Sequence, residues 1–171
     1  MSDRADRLIQ DARRVEVLRQ SNLSRLDVQI DGSLQYYAVT LRCTGIQLRA
    51  GLVRETAEHR VGIALGPDYP TRRPDLVWQS AIFHPNVRVP GVCLLGHWGH
   101  RTPLDEVVIW LWDMARYRLY NLKDPLDKQA ADWARDNLLR FPLDDRSLVA
   151  VPHERAQSEA QIRERIRIQE G

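Results

Sequence analysis

The chain has 171 residues, 43% of them hydrophobic and 28% charged, with a formal net charge of +2. That length suits one domain with a sizeable core. The near-neutral balance, with no basic clusters interleaved with aromatics, argues against a nucleic-acid partner, and no apolar run approaches the ~20 residues of a membrane helix. The chain is charged from Asp3 onward, so no signal peptide is expected. Two cysteines without a disulfide framework, Cys43 and Cys93, fit a reducing cytoplasm. The basic residues are skewed: 23 are arginines, and only Lys123 and Lys128 are lysines. A GC-rich genome explains this simply; an enzyme that acylates lysines would also modify itself less.

In chain order, residues 4–20 predict an amphipathic helix, with Leu8, Ala12, Val15 and Leu18 on one face and Asp3 as N-cap. Leu26, Val28 and Ile30 alternate with polar residues, the period of a half-buried strand. Asp31-Gly32 signals a hairpin into a partner strand over residues 34–41. Cys43 reads as a small buried hydrophobe. Residues 46–52 suit either a short strand or a loop. Residues 59–65 predict a third clear strand, running into the turn cluster at 66–70, and Leu76-Val77-Trp78 a short fourth. Short spacing and hairpin turns imply an antiparallel meander.

Farther on, Thr102 is a candidate N-cap with Pro103 at the first helical position. Leu104, Val107, Val108, Leu111 and Leu119 extend that helix to about Tyr120. Asp124-Pro125 repeats the start signal for a helix to about Leu138. After Phe141-Pro142 the chain is irregular. From about Pro152 it regains helical composition, with Glu159 and Arg163 at i,i+4 spacing, as a peripheral helix or a partner-binding tail. Strands grouped apart from helices give an α+β fold. The expected organisation is a catalytic domain over residues 1–140 and a C-terminal extension over 141–171.

Residues 69–98, YPTRRPDLVWQSAIFHPNVRVPGVCLLGHW, carry the chemistry. Tyr69-Pro70, Pro74, Trp78, His84-Pro85-Asn86, Cys93, Trp98 and Pro103, followed by Asp124-Pro125-Leu126, resemble in that order the core of ubiquitin-conjugating enzymes. In that family a His-Pro-Asn motif precedes the catalytic cysteine, and an Asp-Pro-Leu segment follows a helix. The likeness covers about residues 5–138. The chain departs from it in the short interval between Cys93 and Trp98 and in the GHWGHR run at 96–101. These departures and the arginine bias resemble a bacterial relative from a ubiquitin-like conjugation operon, some of which act against phage.

The resemblance implies that Cys93 takes a ubiquitin-like modifier from an activating enzyme as a thioester and passes it to an amine, commonly lysine, of a target protein. A thiolate is the nucleophile, and two acyl transfers replace one hard step. The chain itself needs no cofactor; the partner activating enzyme uses ATP. Each transfer passes an oxyanion that needs a positioned donor. Asn86 is the family candidate; in a second view it braces the cysteine loop, as His84 and Pro85 do. A lysine amine is cationic at neutral pH, and Asp124 matches the acidic residue at the family's rim, where Asn121 and Leu126 also fall. Asp124 also suits a plain helix N-cap. The first helix matches the docking surface for the activating enzyme, so Arg13, Arg14 and Arg19 are candidate contacts to acidic partners.

Three other readings compete. His84, Cys93, His97 and His100 are zinc-ligand types, though no paired-cysteine spacing supports a metal site. Cys93 with a histidine base could serve a thiol hydrolase. A non-catalytic module on the same fold would tolerate loss of Cys93. His97 and His100 are otherwise loop residues or acid–base aids.

Overall fold

The computed structural model describes residues 3–150. Helix α1, Asp3–Gln20, buries Leu8, Val15 and Leu18 as the apolar period predicts. Its fourth buried residue is Asp11 rather than Ala12. Asp3, expected as the cap, lies within the first turn.

Strands β1 Leu26–Ile30, β2 Tyr36–Leu41, β5 His59–Ala64 and β6 Asp75–Trp78 form one antiparallel sheet in the order β1-β2-β5-β6. Tyr37, Val39 and Leu41 of β2 and Val61 and Ile63 of β5 bury alternate side chains, the two-residue period of a sheet with one packed face. Leu8, Val15 and Leu18 of α1 and the apolar residues of α2, Leu104–Ala115, share one core with that face. The β1–β2 connection is a five-residue loop rather than a two-residue turn at Asp31-Gly32. The Asp31 carboxylate accepts the N–H groups of Gln35 and Tyr36, both at 3.0 Å, and the Ser33 hydroxyl at 2.6 Å.

The undecided stretch at 46–52 is a separate hairpin: β3 Gly45–Arg49 pairs with β4 Leu52–Thr56. Its two-residue turn places Ala50 at φ 50° and Gly51 at φ 73°, the positive pair of a type I′ turn. Ala50 hides the signal, because that position usually carries Asn, Asp or Gly.

Helix α2 differs from expectation at both ends. Its N-cap is Pro103 rather than Thr102, and no local side chain caps it. Asp11 of α1 does so instead, accepting the Leu104 N–H at 3.0 Å. The helix stops at Ala115, five residues early. Tyr117 turns to φ 61°, its N–H bonds the Met114 carbonyl, and the Arg118 N–H bonds the Asp113 carbonyl. That is a Schellman ending with tyrosine in the position glycine usually takes. Helix α3, Lys128–Asp136, starts later than Asp124-Pro125 suggests: its N-cap is Asp127, whose carboxylate accepts the Ala130 N–H. A short 3-10 turn, Leu138–Arg140, follows.

Residues 141–150 are irregular and pack onto the body. Buried Arg116 donates to the Asp144 carbonyl, and Trp112 to the Arg146 carbonyl. The Asp144 carboxylate accepts the Thr44 N–H and pairs with Arg146, whose hydrogen bonds hold it well below the usual carboxylate range. The helix expected from about Pro152 lies outside the described residues.

Candidate active site

Cys93 follows a small hairpin, β7 Val87–Arg88 against β8 Gly91–Val92. Its N–H bonds the Asn86 carbonyl at 3.0 Å, continuing the pairing one residue beyond the ladder. The hairpin is anchored to the main sheet by the Trp78 N–H on the Pro90 carbonyl, and the chain leading into it is anchored to β3 by the Phe83 N–H on the Ile46 carbonyl. Both cysteines are free thiols, but only Cys93 is partly exposed. Burial pushes the Cys43 thiol up to about 12, which makes it inert at neutral pH.

Each residue of the His-Pro-Asn tripeptide grips the strip of chain after α2. His84 Nδ1 accepts the Asn86 N–H at 3.0 Å, which leaves Nε2 as the protonated nitrogen facing the Leu119 carbonyl at 3.2 Å. Full burial lowers the His84 pKa to about 3, so the ring stays neutral. The Pro85 carbonyl accepts the Leu126 and Asp127 N–H groups at 2.8 and 3.0 Å. The Asn86 amide donates to the Asn121 carbonyl at 2.9 Å and accepts the Asn121 N–H at 2.8 Å. The Asn86 side chain therefore braces this strip. An amide nitrogen carries two hydrogens, and the bond to Asn121 uses one.

Beneath this brace lies Tyr117, which sequence reasoning missed. Its hydroxyl donates to the Phe83 carbonyl at 2.6 Å, and its ring stacks on Phe141 at 4.5 Å and meets His84 at 4.8 Å. Burial raises the phenol pKa, so it remains a donor. Tyr117, Phe83, Ile46, Ala130 and Ala134 make a second buried cluster under the site. The left-handed backbone at Tyr117 directs this ring, a constraint no local pattern reveals.

Asp124 is exposed, and Leu126 is 41% exposed. Next to them, Arg88, Pro125, Leu126, Asp127, Lys128 and Gln129 line a groove. On the other flank, the run after Cys93 turns sharply at Leu95 and Gly96, at φ 59° and 75°. The His97 ring lies 5.6 Å from Trp110 of α2, and Trp98 lies 5.7 Å from Tyr69. Arg7 of α1 secures the end of this run by donating to the His100 and Thr102 carbonyls and to the Tyr69 hydroxyl. Asp11, fully buried, pairs with Arg7 at 2.7 Å and accepts the Tyr69 hydroxyl at 2.5 Å. The interrupted apolar face of α1 at Asp11 was the available clue. Both His84 nitrogens are engaged, and among the described residues no group of three His, Cys, Asp or Glu side chains could hold a metal ion.

The three arginines expected to meet partners do not act alike. Arg19 is paired with Glu16 at 2.6 Å on its own helix. Arg13 lines an apolar groove beside Leu34, while Arg14 lines a polar one beside Pro70 and His100. No helix of the described residues is long and apolar enough to cross a membrane.

Comparison with known proteins agrees with this architecture. A Toxoplasma gondii ubiquitin conjugating enzyme E2 domain is similar at 20% identity and a TM-score of 0.56, over 82% of this chain and 92% of that one. A Trypanosoma cruzi chain, described provisionally as a ubiquitin conjugating enzyme, has 16% identity and a TM-score of 0.59, over 84% of this chain and 96% of that one. At such identities the likeness establishes the fold. Among curated proteins no match was found. The family model described as ubiquitin-conjugating enzyme matches residues 44–143, more than half of the chain and all of the hairpin, brace and rim. The chain belongs to the ubiquitin-conjugating enzyme family.

Proposed function

We propose that this protein carries a ubiquitin-like modifier as a thioester on Cys93 and transfers it to an amine, commonly a lysine, of a target protein. The observation that carries this reading is the placement of a partly exposed free thiol at the end of a hairpin that His84, Pro85 and Asn86 lock to the 119–127 strip. A nucleophile that must meet two large partners needs exposure on one side and rigid support on the other.

In the first step the Cys93 thiolate attacks the carbonyl of the activating enzyme's thioester, and that enzyme's thiolate leaves. In the second, an uncharged amine attacks the new thioester, its nitrogen loses a proton, and the Cys93 thiolate departs as the amide forms. Asp124, exposed on the strip, attracts the cationic amine and assists its deprotonation. Asn86 contributes through its brace and, with its second amide hydrogen, as an oxyanion donor. Asn121 and Leu126 complete the rim. ATP is consumed by the partner, and the setting we infer from the sequence resemblance is a bacterial conjugation operon with a role in defence against phage.

The test mixes the protein with its activating enzyme, modifier and ATP. The expected product is a covalent adduct on Cys93 that a reducing agent removes and that Cys93→Ala abolishes. A loaded activating enzyme that yields no such adduct overturns the reading.

A further inference from the structure

Of the 25 basic residues in the chain, only Lys123 and Lys128 are lysines. A genome that favours arginine acts evenly along a sequence and does not account for where these two fall. Lys123 lies within the 119–127 strip that the His-Pro-Asn tripeptide grips, and Lys128 directly follows it. Arginine and lysine differ in the property that decides acyl transfer. A guanidinium stays protonated and offers no nucleophilic lone pair, whereas an ammonium can lose a proton and attack a carbonyl. Both lysines are exposed, and neither amine has an ion-pair partner among the described residues. Short chains of hydrogen bonds fix their backbones to that of Cys93. The Cys93 N–H bonds the Asn86 carbonyl at 3.0 Å, and the Asn86 side chain grips the N–H and carbonyl of Asn121. The Asn121 side chain in turn accepts the Lys123 N–H at 2.8 Å, two residues and at most ~7 Å of chain farther on. Arg135 of α3 holds the Leu122 carbonyl between them. Beyond that, the Pro85 carbonyl holds the N–H groups of Leu126 and Asp127, and Lys128 lines a groove with Arg88 of the hairpin that leads into Cys93.

We infer that the chain is its own acceptor: the modifier carried on Cys93 passes to the lysines of this stretch, Lys123 and Lys128, within the same molecule. The inference rests on the thioester reading above. The lysine ammonium first gives up a proton, to water or to a carboxylate such as Asp124, the next residue after Lys123. Its nitrogen then attacks the thioester carbonyl. A C–N bond forms, the C–S bond breaks, Cys93 leaves as the thiolate, and the nitrogen's surplus proton goes to solvent. The product is an isopeptide amide, no further ATP is used in this step, and Cys93 is free to be loaded again. With both backbones fixed, only the flexible lysine stem has to move. Even a flexible short tether gives the amine an effective concentration of ~mM, so the step is unimolecular and needs no encounter. The use of arginine everywhere else confines self-acylation to this stretch.

The test incubates the full-length chain with its activating enzyme, modifier and ATP, without any target protein, and then adds a reducing agent. We expect an adduct that survives reduction, mapped by peptide mass spectrometry to Lys123 or Lys128. Its rate of formation from preloaded chain should not depend on protein concentration. Lys123→Arg together with Lys128→Arg should abolish this adduct, while the reducible one on Cys93 still forms and still discharges onto free lysine. A tagged Cys93→Ala chain that keeps both lysines, mixed with loaded parent, should stay unmodified. A reducible adduct without a resistant one, a resistant adduct that persists in the double variant, a double variant that no longer discharges onto free lysine, or modification of the Cys93→Ala chain as fast as of the parent would each overturn the inference. All four leave the thioester reading standing. Absence of the reducible adduct would overturn that reading, and this inference with it.

Discussion

Asn86→Ala separates the two roles open to that side chain. The substitution deletes two hydrogen bonds to Asn121, a donor contact at 2.9 Å and an acceptor contact at 2.8 Å. It leaves the Asn121 N–H and C=O without their partner. A buried unsatisfied group costs ~1–3 kcal/mol, but Asn121 is only half-buried and water can reach it. The expected loss is therefore about 1–3 kcal/mol in all, with a fall in Tm of about 2–4 °C for each kcal/mol. Chemical denaturation measures the loss directly. Asn86→Asp sharpens the comparison: it retains the acceptor for the Asn121 N–H but sets a carboxylate against the Asn121 carbonyl. Single-turnover discharge of preformed thioester onto free lysine reads the chemistry separately. Loss of an oxyanion donor slows transfer by ~10²–10³ while loading continues. Loss of the brace alone lowers stability and impairs loading and transfer together. Both variants should be destabilised. An Asn86→Ala protein as stable as the parent would refute the bracing argument, whatever its transfer rate.

Three further outcomes follow from the same contacts. Tyr117→Phe removes only the hydroxyl on the Phe83 carbonyl and should cost about 1–3 kcal/mol in denaturant unfolding; a neutral result would mean that carbonyl finds another donor. Asp11→Ala strands Arg7 and uncaps α2, so a loss of about 3 kcal/mol or more is expected from the same measurement. Burial lowers His84 to about 3 and His59 to about 4, so the unfolded chain binds protons below pH ~6.5 that the folded chain refuses. Stability should thus fall as pH drops from about 6.5 towards 4, by up to ~1.4 kcal/mol per pH unit for each histidine. His84→Gln should flatten that slope, and an unchanged slope in the variant would remove His84 from the account.

The parts of this molecule legible in its sequence are those whose chemistry requires particular residue types close together. The order His84, Pro85, Asn86, Cys93 is such a case, because a neutral brace, a rigid turn and a partly exposed thiol each admit few side chains. The main sheet was legible because one packed face imposes a two-residue period on Tyr37, Val39 and Leu41. Tyr117 and Asp11 were not legible, and for one shared reason. Each sits where local preference points elsewhere, and each is held by partners distant in the chain. Local preference continues α2 through Tyr117, yet the Phe83 carbonyl and the Phe141 ring secure it in a conformation suited to glycine. Thr102 is the local choice to cap α2, yet Asp11, 93 residues earlier, takes the Leu104 N–H.

These two departures lie on opposite flanks of Cys93. Tyr117 supports the His-Pro-Asn side through Phe83 and His84. Asp11 supports the other side through Arg7, which holds the carbonyls at the end of the 94–102 run. That run contains the Cys93-to-Trp98 interval and the GHWGHR stretch at 96–101. Arg7 with the Tyr69–Trp98 and His97–Trp110 ring pairs holds the run from α1, the 66–70 turn and α2. A loop held from outside can change length without releasing the cysteine before it. On this argument Arg7→Ala should loosen residues 94–102 while sparing the brace. Hydrogen exchange should rise at the Thr102 and His97 amides and stay constant at Asn86 and Asn121. Equal gains on both flanks would mean that the site is one cooperative unit rather than two separately supported halves.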